Sequence, residues 1–315
     1  MKQKIMPKGE LGRFLEKLIE KYEVIAPVKS GNTKFKKINS ADEVYLEKVT
    51  LVPFKKFFIG DGEELFSFEK GKIKVEGKRS IKKRVIFGLR KCDLNAIERL
   101  DNVMYDKLYK DKRKNTILIG MHCDNPDEFC FCDSMELDDG KYDLFFYLQG
   151  GKYYISVGSK KGGELVRGLK NSEKEVILKI KNSKALNRKD IEKYYRGDTF
   201  EEDVDKCLSC SACTVNCPTC NCFDIKDELE MDFDSGKRIR RPASCMLKSF
   251  SRVAGGKVFR ESRESRFKHF VFHKIVYYKN KYGKYMCVGC GRCLRSCPTK
   301  IDWVATINKI KEERN

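Results

Sequence analysis

The run Cys207-Leu-Ser-Cys210-Ser-Ala-Cys213-Thr-Val-Asn-Cys217-Pro218 limits what this chain can become more than any other feature. Thiols at steps of three residues wrap one face of a cubane, because such short links cannot splay them apart. The fourth Cys follows three further residues and precedes Pro218, so its thiol points away. In chains with paired runs of this kind, the fourth Cys ligates the other cluster. A second run is therefore required, and Cys287-Val-Gly-Cys290-Gly-Arg-Cys293-Leu-Arg-Ser-Cys297-Pro298 supplies it. Small residues at Ser211, Ala212, Gly289 and Gly291 let backbone N–H groups approach inorganic sulfide. The spacing assigns one 4Fe-4S cluster to Cys207, Cys210, Cys213 and Cys297, and another to Cys287, Cys290, Cys293 and Cys217. Zinc, the alternative, usually takes two separated CxxC pairs.

A chain of 315 residues can bury a core, as two domains or one large one, without disulfides. Of its 15 Cys, eight lie in the two runs, and thiols that must ionise to hold iron imply a reducing, cytoplasmic setting. Residues 1–14 lack the apolar centre of a signal peptide. No stretch approaches the roughly 18 apolar residues of a membrane span. The charge of +20, from 66 Lys and Arg against 46 Asp and Glu, fits nucleic acid, an acidic partner or compensation of internal anions. Two four-thiolate clusters, each at about −2 to −3, offset part of it.

Leu11, Phe14, Leu15, Leu18 and Ile19 recur at helical spacing within residues 10–22. A short strand around Pro27 follows, and a Gly-punctuated strand runs to Val75. Residues 84–89 and 116–121 read as buried strands, with Asp93 capping the helix after the first. Residues 145–148 and 153–157, hinged by Gly150 and Gly151, read as a hairpin. These segments give a mixed α/β or α+β domain over 1–160. A charged helical connector is expected over 161–205. A mainly helical domain over 206–315 would then carry a ferredoxin-like module with two 4Fe-4S clusters and inserted basic helices. Within that insertion, 223–236 is acidic, 237–241 is basic and 260–274 reads as a basic helix; 302–311 reads as a closing helix.

Seven Cys remain. Cys92 and Cys123 each follow a buried strand. If those strands are parallel neighbours, both thiols emerge at one sheet edge, where sites form in such folds. Cys130 and Cys132 lie just beyond, so Cys92, Cys123, Cys130 and Cys132 are candidates for a third cluster, weighed against inert buried thiols. Cys220 and Cys222 follow the first run so closely that they lie near it, as ligands or as thiols donating to sulfide from outside the ligand set; for these two and Cys245 the outside or buried reading is preferred. His269 and His273, at i and i+4, suit packing better than a metal, since no acidic residue lies between them. Arg292 and Arg295 would raise the potential of the nearest cluster or anchor a partner.

The chain shows no strand–GxGxxG–helix fingerprint and no Walker A loop. With only three His, no nucleophile–His–acid order can be argued. Clusters without a visible substrate site imply a conduit for single electrons, whose donor and acceptor lie on other chains. The rivals are a stand-alone ferredoxin-like carrier and a nucleic-acid-binding protein with structural clusters. The extra N-terminal domain and the insertion favour a fixed complex, and no base-reading module supports nucleic acid.

The chain resembles the beta subunit of soluble sulfhydrogenases, the NAD(P)-linked nickel–iron hydrogenases that also reduce sulfur. It is also similar to the cluster-carrying subunit of anaerobic sulfite reductase. The resemblance runs through Phe87-Gly-Leu-Arg-Lys-Cys92-Asp93, His122-Cys123 to Cys130-Phe-Cys132, and Cys207 to Cys217-Pro-Thr-Cys220-Asn-Cys222. It continues through Ser244-Cys245, residues 266–274 and the second cysteine run, departing at Lys91, where Pro is expected. It implies a non-catalytic subunit whose 4Fe-4S clusters connect a flavoprotein NAD(P)H-binding subunit to a catalytic oxidoreductase subunit in an anaerobic complex, with no membrane.

Overall fold

The computed structural model describes residues 3–74, 83–187 and 189–310. Two compact units interleave along the chain. One is built from Met1–Phe54, Ile81–Ser183 and Val288–Cys290, the other from Lys55–Ser80, Lys184–Cys287 and Gly291–Asn315. These boundaries differ from the expected divisions at 160 and 205, because residues 55–80 and 288–290 each join the unit remote from them in sequence.

In chain order the elements begin β1 (Lys4–Pro7), α1 (Leu11–Ile19), β2 (Glu23–Ser30), β3 (Asn32–Lys37), β4 (Glu63–Glu69) and β5 (Lys72–Lys74). There follow β6 (Arg84–Leu89), α2 (Lys91–Asp101), α3 (Lys107–Lys114), β7 (Thr116–Met121), β8 (Leu144–Gln149), β9 (Lys152–Val157), α4 (Lys160–Leu165) and β10 (Lys170–Asn171). The chain then forms α5 (Glu201–Lys206), α6 (Ala212–Val215), β11 (Phe223–Leu229), β12 (Ser235–Pro242) and α7 (Arg263–Phe272). After a π-helical turn, His273–Tyr277, come α8 (Tyr278–Tyr282), α9 (Arg292–Arg295) and α10 (Trp303–Asn308).

The first unit is organised on an eight-stranded sheet in the order β10-β1-β9-β8-β7-β6-β2-β3. Its centre, β2, β6, β7 and β8, is parallel. Every residue of β6 and β7 is buried, which explains their unbroken apolar sequences: parallel strands are covered on both faces. Gly88, at φ +79°, sits where the β6–β7 register slips, and a Cβ there would lie 2.9 Å from Pro27 Cδ. The expected hairpin forms as β8 and β9. At the carboxyl ends of β6 and β7, Arg90 donates to the carbonyls of His122 and, at 2.6 Å, Leu46. The Asp93 carboxylate accepts from the Arg90 N–H at 3.1 Å, fixing the start of α2.

The second unit is not mainly helical. It holds a four-stranded antiparallel sheet, β11-β12-β4-β5, that joins strands far apart in sequence. The acidic and basic segments of the insertion pair with one another and with β4, which is why no helix forms there. Arg238 meets Asp227 at 2.6 Å, Arg241 meets Glu228 at 2.7 Å and Lys237 meets Glu64 at 3.5 Å. Arg240 lies directly opposite Glu63, with both side chains buried and Nη2 2.6 Å from Oε2. The connector expected as helix is mostly irregular beyond α4, a 3-10 turn at Glu192–Tyr195 and α5, having no apolar stripe long enough to bury. Val75 and Lys311, at the ends of an expected strand and helix, lie outside the described residues. No helix among the described residues is long and apolar enough to cross a membrane.

Glu63→Ala removes the carboxylate from the buried Arg240 guanidinium and is expected to destabilise the protein by about 3–5 kcal/mol. Replacing both partners, as Glu63→Leu with Arg240→Met, should recover most of that in thermal denaturation. A single variant that unfolds with the wild type would show that the pair carries no such weight.

Candidate metal centres

The two cysteine runs adopt one backbone conformation twice. Ser209 and Ser211 have φ of 51° and 69°, matched by Gly289 at 62° and Gly291 at 68°. Left-handed residues between right-handed ones turn successive N–H groups toward a common concavity, the geometry of anion-binding nests at iron–sulfur sites. Serine takes this conformation at a cost that glycine escapes. Each run then winds a single helical turn, α6 or α9, and closes on its fourth Cys. The Cys217 N–H donates to Thr214 and the Cys297 N–H to Leu294, both at 3.3 Å. Thr219 Oγ1 lies 3.2 Å from Cys217 Sγ, and Thr299 Oγ1 lies 3.4 Å from Cys297 Sγ. The repeated Cys-Pro-Thr tripeptide was a readable sign of these contacts.

Cys297 comes to the first run, as the crossed spacing requires. Cys207, Cys210, Cys213 and Cys297 line one cavity, with Leu208, Phe267, Phe270, Ile301 and Trp303 making its walls apolar; Cys293 also reaches it. The Ser209 and Ile301 N–H groups each donate to a sulfur, Cys207 Sγ and Cys297 Sγ, at 3.4 Å. Burial, then the thiols of Cys207 and Cys217, push the Cys213 thiol up to about 12. Such crowded thiols resist ionising together in a dry space unless a cation holds them, and metal coordination deprotonates a thiol outright. Four thiols around an apolar void, with N–H groups aimed at sulfur, fit a 4Fe-4S cluster. Among the described residues no three Cys, His, Asp or Glu converge closely enough for a single ion.

A second group surrounds Lys274. Its ammonium donates to Thr219 Oγ1 at 3.0 Å and faces the thiols of Cys217, Cys220 and Cys287. A hydrogen bond from Cys220 holds the Cys217 thiol well below its usual range, and the same bond raises Cys220. Cys222 and Cys245 form a like pair at the base of the β11–β12 hairpin: the bond from Cys245 lowers Cys222 to about 6 and raises Cys245. Cys220, Cys222 and Cys245 thus sit in hydrogen-bonded pairs rather than in a quartet.

A third group lies in the first unit. Cys123 follows β7, Cys92 stands in the first turn of α2, and all of Cys92, Cys123, Cys130 and Cys132 are buried. Cys130 Sγ approaches the Cys290 carbonyl at 3.8 Å, and Phe131 N donates to the Gly289 carbonyl at 2.8 Å. A Cβ on Gly289 would lie 2.6 Å from the Cys132 backbone, so glycine is what permits this approach. Burial, then Cys123, push the Cys132 thiol up to about 12, with Cys290 also contributing. Cys290 therefore faces Cys130 and Cys132, a juxtaposition the spacing did not reveal.

The basic helix turns cations inward. Arg266 is buried and donates to the carbonyls of Met246, Arg260 and Glu261; buried Lys268 donates to the Gly197 carbonyl at 2.7 Å. Arg292 is fully buried in α9, while Arg295 at its end is only partly so. His269 and His273 stack at 5.5 Å, and burial, with help from neighbouring cations, lowers them to about 4 and about 3. They pack as neutral imidazoles.

A folded-state pKa below the ordinary 6.5 or so means that the unfolded chain takes up protons first as pH falls. The stability due to neutral His273 is thus complete above about pH 6.5 and is lost toward about pH 3. His273→Gln is expected to flatten the fall of the unfolding midpoint on acidification. Parallel curves for variant and wild type would refute this.

Residues 206–301 match the family model of a 4Fe-4S dicluster domain. The chain is 33% identical to sulfhydrogenase 2 subunit beta of Pyrococcus furiosus, with 95% of each chain covered. No solved structure matches it. With its matched cysteine runs and near full-length similarity, the chain belongs to the sulfhydrogenase beta-subunit family.

Proposed function

We propose that this chain is a non-catalytic subunit of a cytosolic anaerobic complex, conducting electrons between a flavin- and NAD(P)H-binding subunit and a catalytic subunit. That catalytic subunit is a hydrogenase and sulfur reductase or a sulfite reductase. When bound, 4Fe-4S clusters supply one-electron transfer without proton chemistry at the protein. Cys207, Cys210, Cys213 and Cys297 would hold one, and Cys287, Cys290, Cys293 and Cys217 the other. Cys92, Cys123, Cys130 and Cys132 would serve a third, with Cys290 as its neighbour.

The observation that carries this reading is the cavity at which Cys297 joins the thiols of the first run. Crossed thiols bring the two runs together, which suits passage of electrons from one to the other. The backbone N–H groups that meet Cys207 and Cys297 stabilise the charge of their sulfurs beside the apolar walls. The former rival, a nucleic-acid-binding face, loses its support, since Lys237, Arg238, Arg240 and Arg241 are committed to ion pairs.

Anaerobic reconstitution is expected to give about eight iron and eight labile sulfide per chain, rising to about twelve of each with a third cluster. In that case Cys130→Ser with Cys132→Ser should remove about four iron. Cys217→Ala should damage the cluster of the second run while leaving the first spectroscopically intact. The isolated chain should bleach with a strong reductant yet leave NAD(P)H unoxidised until a flavoprotein partner is added. Turnover of NAD(P)H by the chain alone, or reconstituted protein without iron, would overturn the proposal.

A further inference from the structure

Lys274 is 3% exposed, yet no carboxylate lies within ion-pair distance of it among the described residues. It stands in the π-helical turn between α7 and α8, a local widening that often marks a functional position. Its carbonyl accepts from the N–H groups of Met286 at 3.0 Å and Cys287 at 3.2 Å, so its backbone positions the first thiol of the second run. Its ammonium reaches the other way, to Thr219 Oγ1, which touches Cys217 Sγ. One residue therefore ties Cys287 to Cys217, the two thiols that crossed ligation assigns to the same cluster.

A buried ammonium needs an anion. The groups that face the Lys274 ammonium are the sulfurs of Cys217, Cys220 and Cys287, with Thr219 Oγ1 at 3.0 Å. The adjacent imidazoles of His269 and His273 stack on one another at 5.5 Å and offer it no anion. A second cation, Lys55, faces Cys217, Cys220 and Cys222 from farther out and donates to the Thr214 carbonyl at 3.2 Å. The two runs are otherwise near copies, down to the threonines that follow their prolines. Thr219 receives an ammonium, whereas Thr299, among the described residues, receives none. The cavity of Cys207, Cys210, Cys213 and Cys297 is walled by apolar side chains, and the buried cation at its run, Arg266, donates to Ser209 Oγ at 3.4 Å rather than to the threonine beside the fourth thiol.

We propose that Lys274 breaks the symmetry of the paired runs electrostatically, serving as the internal counter-ion of the centre held by Cys217 and Cys287 and making it the higher-potential member of the pair. Reduction adds a negative charge, which a fixed cation in a low-dielectric interior favours. Electrons would collect on the Cys217 side and be passed from the Cys207 side. The inference rests on the cluster assignment proposed above.

The test is a redox titration of the reconstituted full chain, followed by electron paramagnetic resonance, with iron and sulfide counted on the same samples. Lys274→Met keeps the bulk and removes the charge. It is expected to retain iron while the midpoint of one cluster falls and that of the other stays. Lys274→Arg should leave both near wild type. If Lys274→Met loses its iron, Lys55→Met becomes the deciding variant, with a smaller fall in the same cluster expected. Two unmoved midpoints, or equal shifts of both, in an iron-replete variant would overturn the role of Lys274 and leave the conduit reading intact. A wild-type chain that takes up no iron would instead defeat the conduit reading itself.

Discussion

Holding buried thiols apart while aiming them at one void is the constraint on which the second unit is built. A regular helix or strand cannot do it, because residues at steps of three would fan around a helix or alternate across a strand. The runs solve it with paired left-handed residues, Ser209 and Ser211 in one, Gly289 and Gly291 in the other. The short turns α6 and α9 then carry the chain to its fourth thiol, where proline prevents further helix. Serine in the first run accepts strain that glycine avoids in the second. The difference has a local reason at Gly289, where only glycine fits against the backbone of Phe131 and Cys132.

Charge follows the same logic. A formal charge of +20 suggests a surface made for polyanions, but eight Lys and Arg are buried among the described residues. Arg266 and Lys268 tie down carbonyls, Arg240 neutralises Glu63, and Lys274 faces thiols. Arg266 directs its charge to carbonyls and Lys274 to thiols, whereas Lys268 also pairs with Glu264, so part of the excess arises from interior hydrogen bonding. Net charge read from composition cannot separate these uses, because burial is a property of the fold.

What the sequence revealed was local or repetitive. The paired runs, the buried parallel strands and the Gly150-Gly151 hairpin depend on neighbouring residues, and each stands as read. The crossed approach of Cys297 to the first run was readable because the run is duplicated. The four-stranded sheet was hidden. Its strands carry charges where a reader looks for apolar alternation, and two of them come from residues 63–74, far from the rest. The expectation of a mainly helical second domain failed for that reason. The inward turn of the basic helix was equally invisible, since its carbonyl partners leave no mark in the side-chain pattern.

The extra thiols gain meaning from pairing rather than number. Cys220 donates to Cys217, and Cys245 donates to Cys222, so each pair contains one thiol that favours its charge and one that keeps its proton. A hydrogen bond to a thiolate draws charge off the sulfur and favours the anionic form. Cys220 and Lys274 therefore act on Cys217 in the same direction, one through a proton and the other through a full charge. Among the described residues no comparable pair of donors meets Cys297, whose sulfur receives the Ile301 N–H and lies by Thr299. Two runs that began as conformational copies are thus placed in unequal surroundings, and inequality is what a conduit requires if electrons are to favour one end over the other.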